Sequence, residues 1–345
     1  MLRLSAAVSF VATVCLLACS AEPVDGGVTK VPMRATTSSQ GGSGAGGSAA
    51  GGAAGIDPKL VIKSKGCGMA PPANVEPKVY AKFTVDVTGA TLTDFMHPAH
   101  QRDYYVWIPE DYDINKPYRL VHILYGCGDR HAGSTATYKL FSEDPQAVYV
   151  GLNMPPEGVA DSEGTCYNDD GGAAATEWEF FDLVNQQLEN NFCFDKNRVF
   201  AAGYSSGSWV TQMFGCYFSG FDSTRKFGKD LSLRGQMTVT GGLPDVPACS
   251  PNPVSALWIH DAGDMANQIS GSLANLDRVL ALNKCVGKDT VPWGTGALNT
   301  VCKQYTGCPA DYPVVFCTTT GRAHDSQNDN TLPAFSQFAH LMDAK

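Results

Sequence analysis

Apolar residues along this chain fall into three regimes. Residues 6 to 18 are almost wholly apolar. Residues 20 to 58 carry no apolar periodicity. From about Leu60 onward, short apolar runs alternate with stretches of helical spacing. In this last regime Val79–Val87 and Tyr104–Ile108 predict an antiparallel pair of strands with polar turn material between them. Arg119–Tyr125 predicts an apolar strand that ends in Gly126-Cys127-Gly128, and Ala147–Leu152 a second. Thr176–Glu189 has helical periodicity, with Trp178, Phe181, Leu183 and Leu188 able to share a face with neighbours. Arg198–Ala202 predicts a short buried strand and Ser206–Phe218 a helix. Gln236–Thr240, Ala256–His260 and Pro313–Cys317 predict three more strands, and Leu273–Leu282 and Ala334–Met342 two more helices. Strands alternating with helices predict an α/β class: a mostly parallel sheet covered on both faces. In such sheets the chemical groups gather in loops beyond the carboxyl ends of the strands.

The first two regimes shape the domain organisation. Residues 1 to 18 have a positive n-region at Arg3 and an apolar run too short to cross a bilayer as a helix, which is the pattern of an export signal. The run closes on Leu16-Leu17-Ala18-Cys19, which resembles the lipobox of bacterial lipoproteins; that resemblance implies a lipid on Cys19 and anchoring at the cell envelope. Residues 19 to 58 include the nearly pure Gly, Ala and Ser run from Gly41 to Gly55. Such a composition buries too little apolar surface to offset its ordering entropy and predicts a flexible tether. Residues 59 to 345 are expected to fold as one domain. No other stretch predicts a membrane span, so the lipid on Cys19 is the only membrane contact expected.

Charge and cysteine content narrow the function classes. The net charge is -9 and no basic stripe exists, which argues against a nucleic-acid partner. Of the 12 cysteines, Cys15 leaves with the signal and Cys19 is the lipid site, so 12 − 2 = 10 remain. An even number in an exported chain predicts disulfides, whose connectivity spacing alone does not give. Paired C-x-x-C spacing is absent, so no metal is expected. The acidic pair Asp169-Asp170, in the segment opened by Cys166, reads as a solvated loop rather than a calcium site.

The chemistry centres on Gly203-Tyr204-Ser205-Ser206-Gly207. The pattern G-x-S-x-G is weak by itself, but here a predicted strand precedes it and a predicted helix follows. A strand-to-helix reversal at Ser205 needs flanking glycines for close approach and thrusts the hydroxyl out above the sheet. The helix N-terminus supplies free N–H groups where negative charge would form. A Ser hydroxyl is a poor nucleophile until a base takes its proton. On this arrangement the chain order is Ser, acid, His. That order excludes His97, His100, His122 and His131. His260 lies too near the expected acid, and His340 sits in a helical pattern, which leaves His324, in a loop after a predicted strand. The acid is expected at Asp264, deeper in the loop after Ala256–His260 than its rival Asp261. Two backbone N–H donors, from Ser206 and Cys127, are expected to form an oxyanion hole. Trp178, Trp209 and Trp258 each lie in apolar runs and are expected in the core rather than against substrate.

These residues resemble the extracellular feruloyl esterases and poly(3-hydroxybutyrate) depolymerase-like esterases of the α/β-hydrolase superfamily, over most of residues 63 to 340. Lys65-Gly66-Cys67-Gly68 with Pro71-Pro72 is similar to the family's opening motif. Tyr104-Tyr-Val-Trp-Ile-Pro-Glu-Asp-Tyr112 is similar to an early strand. Phe192-Cys-Phe-Asp-x-x-Arg198-Val-Phe200, running into Gly203 and Ser205, is the most specific segment. His260-Asp-Ala-Gly-Asp264 resembles the segment that carries the acid, and Tyr305-Thr-Gly-Cys308, Pro313-Val-Val and His324 resemble the closing segment. The resemblance implies an α/β-hydrolase fold, a triad of Ser205, Asp264 and His324, ester hydrolysis without a cofactor, and feruloyl or acetyl esters of plant polysaccharide as substrates. Short polyesters are the alternative substrate class, and a surface-binding lipoprotein without turnover is the alternative function. Three departures stand out: Tyr125 replaces the usual His before the oxyanion Gly, Asp261 replaces a Gly, and Arg322-Ala323 replaces Gly-Gly before the base.

Overall fold

Among the described residues ten strands and four helices occur, and all but two of the strands fall at or near the runs that predict them. The computed structural model describes residues 57–87, 101–128, 144–154, 166–167, 174–242, 249–294 and 301–343. All of these belong to one compact unit, Ala53–Lys345. The export signal, Cys19, the Gly/Ala/Ser tether and the Asp169-Asp170 pair lie outside the described residues.

The strands are β1 (Ala81–Asp86), β2 (Gln101–Trp107), β3 (Tyr118–Leu124), β4 (Ala147–Leu152), β5 (Phe194–Tyr204), β6 (Leu233–Val239), β7 (Ser255–Asp261), β8 (Thr290–Pro292), β9 (Val301–Tyr305) and β10 (Val314–Thr319). The helices are α1 (Ala174–Asn191), α2 (Ser206–Tyr217), α3 (Ile269–Leu282) and α4 (Asn328–His340). The strands form one sheet in the order β1-β2-β4-β3-β5-β6-β7-β10-β9-β8. The run from β4 through β3, β5, β6 and β7 to β10 is parallel throughout. The antiparallel pairs lie outside it, at β1–β2, β2–β4, β10–β9 and β9–β8.

Burial explains why the centre is parallel. Every residue of β3, β4, β6 and β7 is buried, as in strands covered on both faces. β7 shows both faces in use. Ala256 and Trp258 pack with Leu276, Val279 and Leu280 of α3, while Leu257 and Ile259 join the main cluster with Phe335 and Phe338 of α4. The Trp258 indole N–H donates to Gln212 Oε1 at 3.2 Å. Trp178 is likewise buried, stacked on Tyr217 with ring centroids 4.1 Å apart.

Five disulfides join Cys67–Cys193, Cys127–Cys166, Cys216–Cys249, Cys285–Cys308 and Cys302–Cys317. They use all ten cysteines beyond Cys15 and Cys19, which fits a chain folded in an oxidising compartment. The last of them joins directly opposed residues of β9 and β10.

The hairpin β8–β9 went unread in the sequence. β8 has only three residues and ends on Pro292, and β9 alternates exposed and buried positions in a polar run, Val-Cys-Lys-Gln-Tyr. Helix α4 begins six residues before the expected Ala334, because Asn328, Asp329, Asn330 and the internal Pro333 hide its first turns.

Candidate active site

Four loops at the carboxyl ends of parallel strands bring the candidate residues together. Ser205 follows β5, Cys127 follows β3, Asp264 follows β7 and His324 follows β10. The residues converge because neighbouring parallel strands end on the same side of the sheet.

The Ser205 turn is the tightest feature. Ser205 has φ 53° and ψ -120°, a conformation that costs on the order of 1–3 kcal/mol for a residue with a side chain. Its N–H donates to Val239 O at 3.1 Å, and its carbonyl accepts from Ser208 N at 2.8 Å and Trp209 N at 3.1 Å. Close approach accounts for both glycines of the motif. A Cβ on Gly203 would lie 2.1 Å from Gly207 O, and one on Gly207 would lie 2.5 Å from the Leu124 carbonyl carbon and 2.7 Å from Tyr125 N. Gly207 N–H also donates to Tyr125 O at 2.9 Å, tying the start of α2 to the loop after β3. Gly207→Ala must push these backbones apart. It is expected to cost roughly 1–3 kcal/mol of stability, as overpacking does, and to lower kcat. A urea midpoint and kcat both equal to wild type would show that this contact is not needed.

Ser205, His324 and Asp264 form a continuous hydrogen-bonded chain. His324 Nε2 lies 2.9 Å from Ser205 Oγ, and His324 Nδ1 lies 2.9 Å from Asp264 Oδ2. The Asp264 side chain is wholly buried while that of His324 is 27% exposed, so the imidazole meets solvent and the carboxylate does not. Asp264 Oδ1 accepts the backbone N–H groups of Ala266 and Asn267, both at 2.9 Å, which fixes its second oxygen toward the imidazole. The Tyr204 hydroxyl donates to the His324 carbonyl at 3.1 Å.

Asp261, the rival acid, serves elsewhere. Its Oδ2 accepts Thr319 Oγ1–H and Arg322 N–H, each at 2.9 Å, and its Oδ1 accepts Gly263 N–H at 2.8 Å. Burial by itself would raise its pKa. The donors at Arg322, Gly263, Thr319 and Ala323 outweigh that effect and hold the carboxyl below its ordinary value. Asp261 thus braces the turn that leads from β10 to His324. Ala323 sits in that turn at φ 51°, a left-handed conformation that costs about 1–2 kcal/mol for an L-residue. Asp325 faces Arg322, at 3.8 Å, rather than the site.

His260 is buried behind the acid, with Nε2 3.7 Å from Asp264 Oδ2. Its Nδ1 is 2.8 Å from Ser272 Oγ and its Nε2 2.8 Å from Asn267 O, and burial lowers its pKa. His340 lies on α4, bonded to Asp343 and Arg119, away from Ser205.

Three residues that the sequence reading passed over support the site. Asn267 donates its backbone N–H to Asp264, accepts from His260 through its carbonyl and accepts the Trp209 indole N–H at 3.1 Å. Tyr204 holds the base loop. Tyr167 bonds to Tyr125 in the loop after β3 and to Ser206, the first residue of α2. Each makes its contact from a loop or a strand end, where apolar periodicity carries no information. Trp209 also departs from expectation. It is only half-buried, one helical turn beyond Ser205, with its ring against the space a Cβ on Gly242 would fill.

No family model matches the chain. Feruloyl esterase C of Emericella nidulans is 25% identical over 241 residues, spanning 68% of this chain and 80% of the relative. Feruloyl esterase D of Neurospora crassa is 25% identical over 293 residues, spanning 80% of this chain and 90% of the relative. Among solved structures, an acetyl xylan esterase from Aspergillus awamori superposes with a TM-score of 0.52 at 11% identity, over 75% of this chain and 99% of that one. The chain is a carboxylic-ester hydrolase with the α/β-hydrolase fold. In this esterase the strand ends that carry Ser205, Asp264 and His324 are β5, β7 and β10, and the loop after β3 faces them.

Proposed function

We propose that the protein is a serine esterase that cleaves feruloyl or acetyl esters of plant cell-wall polysaccharide through Ser205, His324 and Asp264. The observation that carries this reading is the unbroken run from Asp264 through His324 to Ser205, two hydrogen bonds of 2.9 Å each. His324 Nε2 takes the Ser205 proton as Oγ attacks the ester carbonyl. Asp264 holds the Nδ1–H tautomer and stabilises the imidazolium that forms. The tetrahedral oxyanion is received by the N–H groups of Ser206 and Cys127. His324 returns the proton to the departing alcohol. Water, activated by the same imidazole, then releases the acid and frees Ser205. The scheme needs no cofactor.

The substrate class rests on the sequence relationship to feruloyl esterases C and D and on Trp209. Helical side chains lean toward the N-terminus, so Trp209 leans toward Ser205. Asn267 fixes its indole at one edge. A half-exposed, oriented indole suits a flat aromatic acyl group.

The test is a panel of methyl ferulate, acetylated xylan and a hydroxybutyrate oligomer, run on wild type and Ser205→Ala. Wild type is expected to hydrolyse methyl ferulate or acetylated xylan with kcat/KM at least tenfold above the oligomer. The reverse order would replace the substrate class with polyester. Absence of turnover on all three, with ferulate binding retained, would overturn the catalytic reading.

A further inference from the structure

The two donors of the proposed oxyanion hole come from elements far apart in the chain. Cys127 follows β3 and Ser206 opens α2. An oxyanion hole works only when both N–H groups converge on one point, since the donors must lie about 3 Å from where the oxyanion forms. Cys127 is followed by Gly128 at φ 79°, a conformationally permissive neighbour, so local backbone preference does not by itself fix its direction.

Tyr167 and its neighbour Cys166 meet both donor elements at once. The Tyr167 backbone N–H donates to Ser206 Oγ at 3.1 Å. The Tyr167 phenol oxygen accepts Tyr125 N–H at 3.2 Å and donates its own proton to Leu152 O at the end of β4. Cys166 is joined covalently to Cys127. Two consecutive residues therefore hold the loop after β3 by a covalent bond and a hydrogen bond, hold the residue after the nucleophile by a second hydrogen bond, and anchor on β4 by a third. Tyr167 is 3% exposed, so water does not compete for these bonds. Fold stability alone asks for no such convergence on both donors. The other four bridges, Cys67–Cys193, Cys216–Cys249, Cys285–Cys308 and Cys302–Cys317, join residues other than the proposed donors.

We propose that Tyr167 and the Cys127–Cys166 bridge form a clamp that sets the spacing of the Cys127 and Ser206 N–H donors, making Tyr167 a positioning residue for oxyanion stabilisation. The proposal rests on the reading of Ser205, His324 and Asp264 as the reacting groups. The clamp touches no substrate atom. It acts through the donors, so its loss should appear in the transition state and not in ground-state binding.

Four variants test it: Tyr167→Phe, which removes only the phenol oxygen; Ser206→Ala, which removes the acceptor of the Tyr167 N–H; the double variant Cys127→Ala/Cys166→Ala, which keeps the Cys127 N–H but releases the loop; and Cys285→Ala/Cys308→Ala as a control bridge on a different pair of loops. The readouts are kcat and KM on p-nitrophenyl acetate and the inhibition constant of phenylboronic acid, whose tetrahedral adduct with Ser205 places an oxygen where the oxyanion forms. The three clamp variants are expected to lose about 10- to 100-fold in kcat, below the 10²–10³ for complete removal of one donor. KM should stay within about twofold, and phenylboronate affinity should fall in parallel with kcat. The control bridge is expected to lower the melting temperature and leave kcat unchanged. If Tyr167→Phe and the Cys127/Cys166 variant keep wild-type kcat and phenylboronate affinity while Ser205→Ala is inactive, the clamp is overturned and the catalytic reading stands. If Ser205→Ala itself remains active, the catalytic reading falls and the clamp falls with it.

Discussion

Ser205→Ala is expected to lose about 10⁶-fold in kcat, on the order of 8 kcal/mol of barrier lowering, because no other group can form the acyl intermediate. Among the described residues the hydroxyl bonds only to His324, so its removal should leave the fold intact. A fluorophosphonate probe is expected to label wild type in proportion to active enzyme and to leave the variant unlabelled. The two measurements have to agree. A folded Ser205→Ala protein that still labels, or that keeps even a hundredth of wild-type turnover, would move the nucleophile to another residue. Residual hydrolysis over water is still expected from the backbone donors, which the substitution does not touch.

Asp264→Asn should lose about 10⁴-fold in kcat with little change in stability. The asparagine is isosteric, and its carbonyl oxygen can go on accepting the N–H groups of Ala266 and Asn267. That requirement turns the new amide NH₂ toward His324 Nδ1. An N–H opposite Nδ1 forces the proton of the neutral imidazole onto Nε2, and the base then has no lone pair for Ser205. The effect is a tautomer change, so it should appear in kcat across all ester substrates regardless of their acyl group. Asp261→Asn provides the contrast. Its carboxylate braces the β10 turn through Thr319 and Arg322 and makes no bond to His324, so the loss of activity should be far smaller. Equal losses in the two variants would mean that the choice between the two acids is wrong.

The parallel centre of the sheet was legible because buried parallel strands announce themselves. β4 lies where Ala147–Leu152 was expected, and β3, β5, β6, β7 and β10 differ from expectation only at their ends. Ser205, Asp264 and His324 were singled out from position, since each follows an apolar strand and the expected chain order Ser, acid, His leaves little choice. The structure brings these three together within hydrogen-bonding distance. What was hidden shares one physical reason. Tyr167, Asn267 and Tyr204 act through backbone atoms and hydroxyls across loops that are distant in sequence, and no periodicity records such contacts. The disulfide connectivity belongs to the same category, because it depends on which loops meet and not on spacing. Asp261 and Ala323 stood out in the sequence as departures from the family pattern. In the structure the first braces the turn that the second occupies.

The stitching of residues 57 to 67 has a consequence for how the domain meets a large polymer. Ile62 N–H donates to Asp195, Ser64 N–H to Phe194 O, Asn197 bonds the carbonyls of Asp57 and Leu60, and Cys67 is joined to Cys193. All of these contacts lie at or just before the beginning of β5, whereas Ser205 lies just past its end. At ~3.3 Å per residue the eight steps from Asn197 to Ser205 span roughly 25 Å. Asp57 thus lies toward the end of β5 far from Ser205. Under the proposed function, a bulky chain of sugars lying over Ser205 would therefore meet the end of the sheet away from Asp57.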